Sequence, residues 1–359
     1  MPITYKCPNC GAAMEFDSSS QKLSCGRCGT QLDVKEYQQK YGAANEPDDQ
    51  QTAEEAQSQA EKEAYASSQK NMKIYHCQSC GAELVADEYT SATFCSFCGN
   101  PTLVEDRLNG AFEPSTVIPF KINRDQAVEI YRKWLKRGPL TPKQLASKAT
   151  IEKISGIYAP FWLYDFAAET RMEAAATKTR VTRRGDTEYI YTDHFHVSRD
   201  VAANFEKIPA DASEKMPDDA MDQLEPYQYE ELVPFQMPYL SGYLSERYNY
   251  TADEMKNRVE KRANQYITDI ARGTINGYGS VSVLSNDISM KETSDEYALF
   301  PVWMLNCRYN GKDFQFMLNG QTGKIVAKRP ISAARALAVG TGIFVAALLV
   351  TMIGGLILI

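Results

Sequence analysis

Histidine is nearly missing from this chain: His76, His194 and His196 are the only three in 359 residues. Sites that rely on imidazole for metal binding or proton transfer therefore have little to draw on. No G-x-x-x-x-G-K-[ST] segment occurs, so a phosphate-cradling nucleotide loop is absent. Excess positive charge is absent too. Lys and Arg total 39 against 46 Asp and Glu, a net charge of −7, which argues against a broad cationic surface for nucleic acid. The opening MPITYKCPNC has no apolar run, so no secretory leader is expected. Carboxylates are plentiful, but spacing alone marks none as a paired acid and base, and no enzyme is expected.

What the chain does have is cysteine in a strict pattern. Cys7, Cys10, Cys25 and Cys28 form C-x2-C-x14-C-x2-C, and Cys77, Cys80, Cys95 and Cys98 repeat that spacing 70 residues on. Tyr5-Lys6-Cys7 matches Tyr75-His76-Cys77, and a glycine follows the second Cys of every pair: Gly11, Gly29, Gly81 and Gly99. Two thiolates three positions apart can grip one metal while the glycine lets the backbone turn beneath them. Two such knuckles close a tetrahedral four-cysteine site with no open position, so two structural Zn2+ sites are expected. A disulfide framework is the competing reading, and the regular repetition of C-x-x-C weighs against it. His76 adjoins a ligand but is not needed by a complete four-cysteine set. The ninth cysteine, Cys307, lies in an apolar stretch and reads as a small buried hydrophobe.

The other end carries the second strong pattern. Residues 336–359 contain no charge, and as a helix they would be roughly 36 Å long, enough for a hydrocarbon core of about 30 Å. Lys324, Lys328, Arg329 and Arg335 precede the run without an acidic residue among them. The positive-inside rule then places that flank, and the bulk of the chain, in the cytoplasm. A single-pass, tail-anchored protein of the cell membrane is the resulting expectation. Ala338, Gly342 and Ala346, spaced by four, would allow close helix–helix approach and a homo-oligomer; lipid-facing packing explains them equally well.

The expected fold class is α+β: two four-cysteine zinc ribbons, a larger α+β domain with an antiparallel sheet, and one C-terminal transmembrane helix. Ribbon 1 occupies 1–34, a polar acidic linker 35–73, ribbon 2 74–105, the α+β domain 106–330 and the anchor 331–359. Seven acidic residues against one basic between Glu46 and Glu63 read as a flexible spacer that lets the ribbons move independently. In the large domain, Asn123 and Gln126 form a capping box for a helix whose apolar face is Ala127, Ile130, Tyr131, Trp134 and Leu135. Arg132, Lys133, Lys136 and Arg137 make its other face, either a solvated surface or a contact for an anionic partner. Thr251 and Glu254 cap a second helix, with Met255, Val259, Tyr266, Ile267 and Ile270 as its stripe. Strands are expected over 157–166, 188–197, 280–285, 297–309, 314–318 and 324–328. Residues 200–247, broken by five prolines, read as mostly loop. His194 and His196 would share one face of a strand. A metal or proton-transfer role is conceivable there, but a half-exposed strand carries such residues without any such role.

Ala159-Pro160-Phe161-Trp162-Leu163 resembles Phe300-Pro301-Val302-Trp303-Met304. Two related β lobes, each with a helix, or a coincidence of aromatic strands would both produce the match.

The two ribbons, Ile118-Pro119-Phe120, Tyr158-Ala159-Pro160-Phe161-Trp162, Leu224-Glu225-Pro226-Tyr227 with Tyr239-Leu240-Ser241-Gly242, and Asn319-Gly320-Gln321-Thr322-Gly323-Lys324 together resemble a family of bacterial, mostly Gram-positive, membrane-anchored double zinc-ribbon proteins. Its members are often labelled transcription-factor-IIB-type zinc ribbon or primosomal-helicase-like. The resemblance implies the eight Cys as zinc ligands. It also implies an adaptor role in envelope-stress or membrane-remodelling assemblies, with phage-shock protein A-like or SPFH-domain proteins as partners. The helicase label is at odds with the missing nucleotide loop. A membrane-tethered nucleic-acid-binding protein is the alternative, and an enzyme using the 106–330 domain is a third reading.

Overall fold

Three strands here reach 30, 25 and 30 residues where 3–10 is usual. The computed structural model describes residues 2–41, 72–77, 80, 83–87, 89–95, 101–104 and 112–357. The fold is mixed α+β. In chain order the strands are β1 (Pro2–Ile3), β2 (Glu15–Asp17), β3 (Lys22–Ser24), β4 (Gln31–Leu32), β5 (Met72–His76), β6 (Glu83–Asp87), β7 (Thr90–Phe94), β8 (Pro101–Val104), β9 (Thr116–Val117), β10 (Ser155–Arg184), β11 (Thr187–Asp211), β12 (Val233–Pro234), β13 (Leu244–Glu246), β14 (Ser280–Tyr309), β15 (Lys312–Asn319) and β16 (Ile325–Ala327). Two compact units result: unit 1 is Met1–Ala159, Lys215–Arg247 and Leu299–Ile359, and unit 2 is Pro160–Glu214 and Tyr248–Ala298.

Unit 1 is organised around aromatic rings. Phe120 stacks on Tyr243 at 4.1 Å and meets Tyr158 and Trp303 edge-on at 5.0 and 5.2 Å. Such offset and edge-on pairs add about 0.5–1.5 kcal/mol each beyond burial. Gly320 has to be glycine, because a Cβ there would sit 2.6 Å from the Phe120 ring and 2.8 Å from Pro301 Cβ. The helix Arg124–Lys136 starts at the expected Asn123–Gln126 capping box and buries Ala127, Val128, Tyr131 and Leu135. The segments Leu224–Gln228 and Asn319–Lys324 clasp one another. Asn319 Nδ2 donates to Leu224 O at 3.0 Å, Gln228 N donates to Gln321 Oε1 at 2.8 Å, and Lys324 Nζ donates to Glu225 O. Side chains of the second motif thus hold the backbone of the first across about 90 residues of sequence.

Both ribbons are built into unit 1. β1 pairs with β8, β8 with β7, β7 with β13, and β13 runs parallel to the start of β10 through Ile157↔Leu244. The β2–β3–β4 sheet of ribbon 1 rests on the Tyr239–Gly242 segment. Phe16 N donates to Ser241 O at 2.8 Å, Ser241 Oγ donates to Met14 O at 2.6 Å, and Phe16 meets Tyr239 edge-on at 5.1 Å. The ribbons therefore do not hang free on their spacer, as the polar linker suggested. The apolar side chains of ribbon 1, Met14 and Phe16 among them, are buried. Exposing them would forfeit about 1.5–3 kcal/mol per large side chain. Linker residues 42–71 lie outside the described residues.

Unit 2 is a long antiparallel hairpin, β10 with β11, with the first part of β14 beside β10 and the helix Ala252–Gly273 covering it. The helix buries Met255, Val259, Ala263, Ile267 and Ala271, a strict four-residue spacing. Tyr266 and Ile270, expected on that stripe, are 38% and 43% exposed. The alanines let the helix approach the sheet closely, so the contact line narrows to one row. The first part of the expected loop after residue 200, as far as Asp211, is strand; beyond it the chain is mostly turns and short helices. β11 continues to Asp211 and absorbs an irregularity at Glu206–Lys207, where Lys207 has φ 57° and its N–H donates to Asp165 Oδ1 at 2.7 Å. The expected separate strands 280–285 and 297–309 are likewise one, β14.

The two tryptophans occupy corresponding places in the two units. Trp303 Nε1 donates to Ile122 O at 2.9 Å and its ring meets Phe120; Trp162 Nε1 donates to Tyr250 O at 2.9 Å and its ring meets Tyr248. Ile122 and Tyr250 each precede the N-cap of their unit's helix, Asn123 and Thr251. Pro301 O accepts from Gly320 N, and Pro160 O accepts from Ala212 N. The faint sequence match is thus one repeated device: a hairpin whose Trp tethers the start of a helix.

The C-terminal helix forms over Ala333–Ile357. The membrane expectation is corrected, however: among the described residues no helix is long and apolar enough to cross a membrane. The side chains of this helix are described without a break only to Leu348, and 333–348 are 16 residues. That is about 24 Å of helix, short of a hydrocarbon core of about 30 Å. The single-pass cell-membrane placement is withdrawn with it.

Candidate metal centres

Each knuckle of ribbon 1 is a turn set by two backbone hydrogen bonds. Gly11 N donates to Cys7 O and Cys7 N to Ala12 O, at 2.8 and 2.7 Å; Gly29 N donates to Cys25 O and Cys25 N to Thr30 O, both at 2.9 Å. Gly11 and Gly29 have φ 75° and 74°, the left-handed region in which a side chain is strained. The turns bring the sulfurs of Cys7, Cys10, Cys25 and Cys28 within 4.8 Å of one another. Cys7 Sγ and Cys28 Sγ are 3.6 Å apart, and Cys10 Sγ and Cys25 Sγ 3.5 Å. A disulfide needs about 2.05 Å. A tetrahedral cage with metal–sulfur distances of about 2.3 Å has edges of about 3.8 Å. The separations fit the cage and exclude the disulfide.

Burial and hydrogen bonding divide the four thiols. Cys7 and Cys25 are buried, Cys10 is half-buried and Cys28 is exposed. The Thr30 hydroxyl, 3.1 Å from Cys28 Sγ, and the Thr30 N–H pull the Cys28 thiol down to about 6. Burial pushes Cys7 up, but the N–H groups of Asn9 and Cys10 outweigh it and leave the thiol below its ordinary value. At Cys10 the Ala12 N–H pulls downward, yet the neighbouring thiols and burial push the group up to about 12. The site thus offers a ready thiolate at neutral pH, and a cation would displace the remaining protons.

The second cluster gathers Cys77, Cys80 and Cys95, with Cys80 Sγ 3.7 Å from Cys95 Sγ and Tyr75 packed beside them. Cys98, Gly81 and Gly99 lie outside the described residues. His76 is exposed and is not among the groups that gather there. His194 and His196 are exposed on β11. His196 Nε2 lies 3.4 Å from Glu173 Oε2, and among the described residues neither imidazole joins a metal-holding group. Cys307 is half-buried, its thiol directed at Phe314 O at 3.5 Å and pushed up by burial. It borders a cleft of about 600 Å³ whose charged groups are Lys153, Arg308 and Asp313. On the helix Arg124–Lys136, Arg132, Lys133, Lys136 and Arg137 are exposed, with Lys133 paired to Glu129 at 2.7 Å.

Tyr239, Ser241 and Gly242 stood out in the sequence only as part of a family motif, with no sign that they seat ribbon 1. A Cβ at Gly242, where φ is 91°, would come within 3.1 Å of Glu15 Cβ. Sequence reasoning missed Thr30, for which the only signal was a hydroxyl directly after the knuckle glycine.

The site and fold define an α+β protein with two cysteine clusters able to hold metal ions. No family model matches the chain, and no solved structure matches it. It is 40% identical over 359 residues, 99% of each chain, to the protein titled "Uncharacterized protein YdjG" of Bacillus subtilis (strain 168). The chain belongs to the same family as that protein.

Proposed function

We propose that this chain is a zinc-stapled docking protein without catalytic activity of its own. The observation that carries the reading is the ribbon 1 cluster: four sulfurs at tetrahedral-cage separations, on a module seated in unit 1. An all-thiolate set suits zinc and fills every coordination position, so the ion supplies a crosslink and leaves no place for substrate. The second ribbon is read in the same way, with Cys98 as its fourth ligand. The pair would brace a surface on which partner proteins dock. Phage-shock protein A-like and SPFH-domain proteins are the partner classes that the family resemblance suggests.

The test is zinc stoichiometry, followed by partner capture. The purified full chain should carry two zinc ions, falling to one in Cys25→Ser and to none when Cys95→Ser is added. A purified phage-shock protein A-like partner should be retained by the wild type and lost from the double variant. Less than one zinc per chain, or equal retention by the double variant, would overturn the proposal.

A further inference from the structure

The β10–β11 hairpin is much longer than its place in the core requires. In unit 1 the corresponding hairpin turns at Asn310, seven residues after Trp303 (310 − 303). In unit 2 the turn at Gly185 comes 23 residues after Trp162 (185 − 162). The helix Ala252–Gly273 and the turn after it cover this hairpin only as far as Ala174, Ala176 and Val197, which pack with Ala271 and Ile275. β14 joins at Thr177, whose hydroxyl lies 2.7 Å from that of Ser280. Beyond this point Lys178–Arg184 and Thr187–Asp193 form a two-stranded arm, exposed on both faces. Seven residues per strand make it about 24 Å long. A two-stranded ribbon alone is marginal in water. This one nevertheless leaves Ile190 68%, Tyr191 47% and Tyr189 46% exposed.

Residues directly opposite in a ladder share a face. Arg180 stands opposite Tyr191, Thr182 opposite Tyr189, Arg184 opposite Thr187, Lys178 opposite Asp193 and Ala176 opposite Phe195. One face therefore carries a row of rings on β11, Tyr189, Tyr191 and Phe195, beside a row of cations on β10, Lys178, Arg180 and Arg184. The Arg180 guanidinium lies 5.2 Å above the Tyr191 ring. Its ion pair with Asp193 spans 4.0 Å between side chains 70% and 51% exposed, a geometry that contributes little. Lys178 and Arg184 make no ion pair among the described residues. Against three cations the face has one carboxylate. Tyr189 and Tyr191 are about 6.8 Å apart along the strand, twice the 3.4 Å repeat of stacked bases, which leaves each ring room for one base.

We propose that this face of the arm binds single-stranded nucleic acid, with bases on Tyr189 and Tyr191 and phosphates on Lys178, Arg180 and Arg184. Every base has a face that stacks on a ring, so the site takes single strands with little regard to sequence. An acidic protein segment would satisfy the cations but has no use for rings at base spacing. The chain's net charge of −7 disfavours polyanion binding spread over the whole surface, so a contact of this kind needs a local cationic row such as the arm carries. The proposal does not rest on the reading of the metal clusters.

The test is fluorescence anisotropy on the nucleic-acid-free full chain with a labelled thymidine oligonucleotide of about 15 nucleotides. Its duplex form and polyglutamate serve as competitors. The variants are Tyr189→Ala with Tyr191→Ala, Arg180→Gln with Arg184→Gln, and Val181→Thr with Ile190→Thr on the opposite face. All six positions are solvent-exposed, and circular dichroism checks that the variants fold. The single strand should bind with a log–log salt slope of about −2, for three phosphates at about −0.7 each. Removing both rings should cost at least tenfold, on the basis of stacking losses of about tenfold per base. The arginine variant should flatten the slope toward −0.7, and the opposite-face variant should bind like wild type. No binding at low salt, full binding without the rings, or preference for duplex or polyglutamate would each overturn the proposal.

Discussion

Replacing Cys25 with Ser should release ribbon 1 from unit 1 as well as remove a metal ion. Cys25 is 1% exposed and sits between the knuckle turn and the β3 strand, with Leu23 fully buried beside it. A four-thiolate zinc site supplies on the order of 10 kcal/mol of folding free energy. A whole domain of this kind is stable by only about 5–15 kcal/mol. The ribbon has three short strands of its own, of 3, 3 and 2 residues. Its buried side chains cannot replace a term of that size, so the ribbon should open while the aromatic cluster around Phe120 persists. Native-state hydrogen exchange reads this directly. The Phe16 amide, bonded to Ser241 O at 2.8 Å, should lose its protection, and amides of the β10–β11 ladder in unit 2 should keep theirs. Zinc content should fall by one ion per chain. If zinc falls by one and the Phe16 amide stays protected, packing alone holds the ribbon and the argument that the metal staples it fails.

Four further outcomes are expected. Gly320→Ala places a methyl about 1 Å inside normal contact with the Phe120 ring, which Tyr243 and Trp303 hem in; urea denaturation should show a loss of about 1–3 kcal/mol. Gly273→Ala, with nothing within 4 Å of the new Cβ, should not destabilise in the same assay. Burial pushes the Asp17 carboxyl up, but the Ser19 N–H and the Ser20 hydroxyl hold it below its usual 3.8 overall. A lowered acid contributes stability that is complete above 3.8 and lost as pH falls through the folded value. Asp17→Asn should therefore lower the melting temperature slightly at pH 7 and match the wild type in strong acid. Burial raises the phenols of Tyr158 and Tyr227 well above 10, so their contribution is complete below pH 10 and is lost as pH climbs beyond it. Tyrosinate absorbance should then appear together with unfolding; free titration near pH 10 in a folded protein would contradict their burial.

Much of the local structure was legible from residue order. The helix starts at Asn123 and Thr251 were, because a capping box needs only residues three apart. The clasp between Leu224–Gln228 and Asn319–Lys324 was visible as two motifs, but not as one contact. The stripe of the Ala252–Gly273 helix was misjudged. Tyr266 and Ile270 are apolar enough for a core, and only the narrow line drawn by Ala263 and Ala271 leaves them outside. The five prolines after residue 200 overstated the loop, since Pro209 is accommodated within β11, opposite Leu163.

By itself the sequence determined the metal-binding chemistry. Ligands three residues apart on a glycine turn meet whatever the rest of the chain does, because the geometry closes within a few bonds. The same locality set the capping boxes and the Asn310–Gly311 turn, where both residues take positive φ. Only the tertiary structure decided where ribbon 1 rests, for Met14 and Ser241 meet across 227 positions, and it joined β1 to β8 across about a hundred. It also turned two similar pentapeptides into one repeated tether, and left the arm of β10 and β11 uncovered past Thr177. Contacts of that range depend on complementary surfaces, and residue spacing carries no record of which surface will face which.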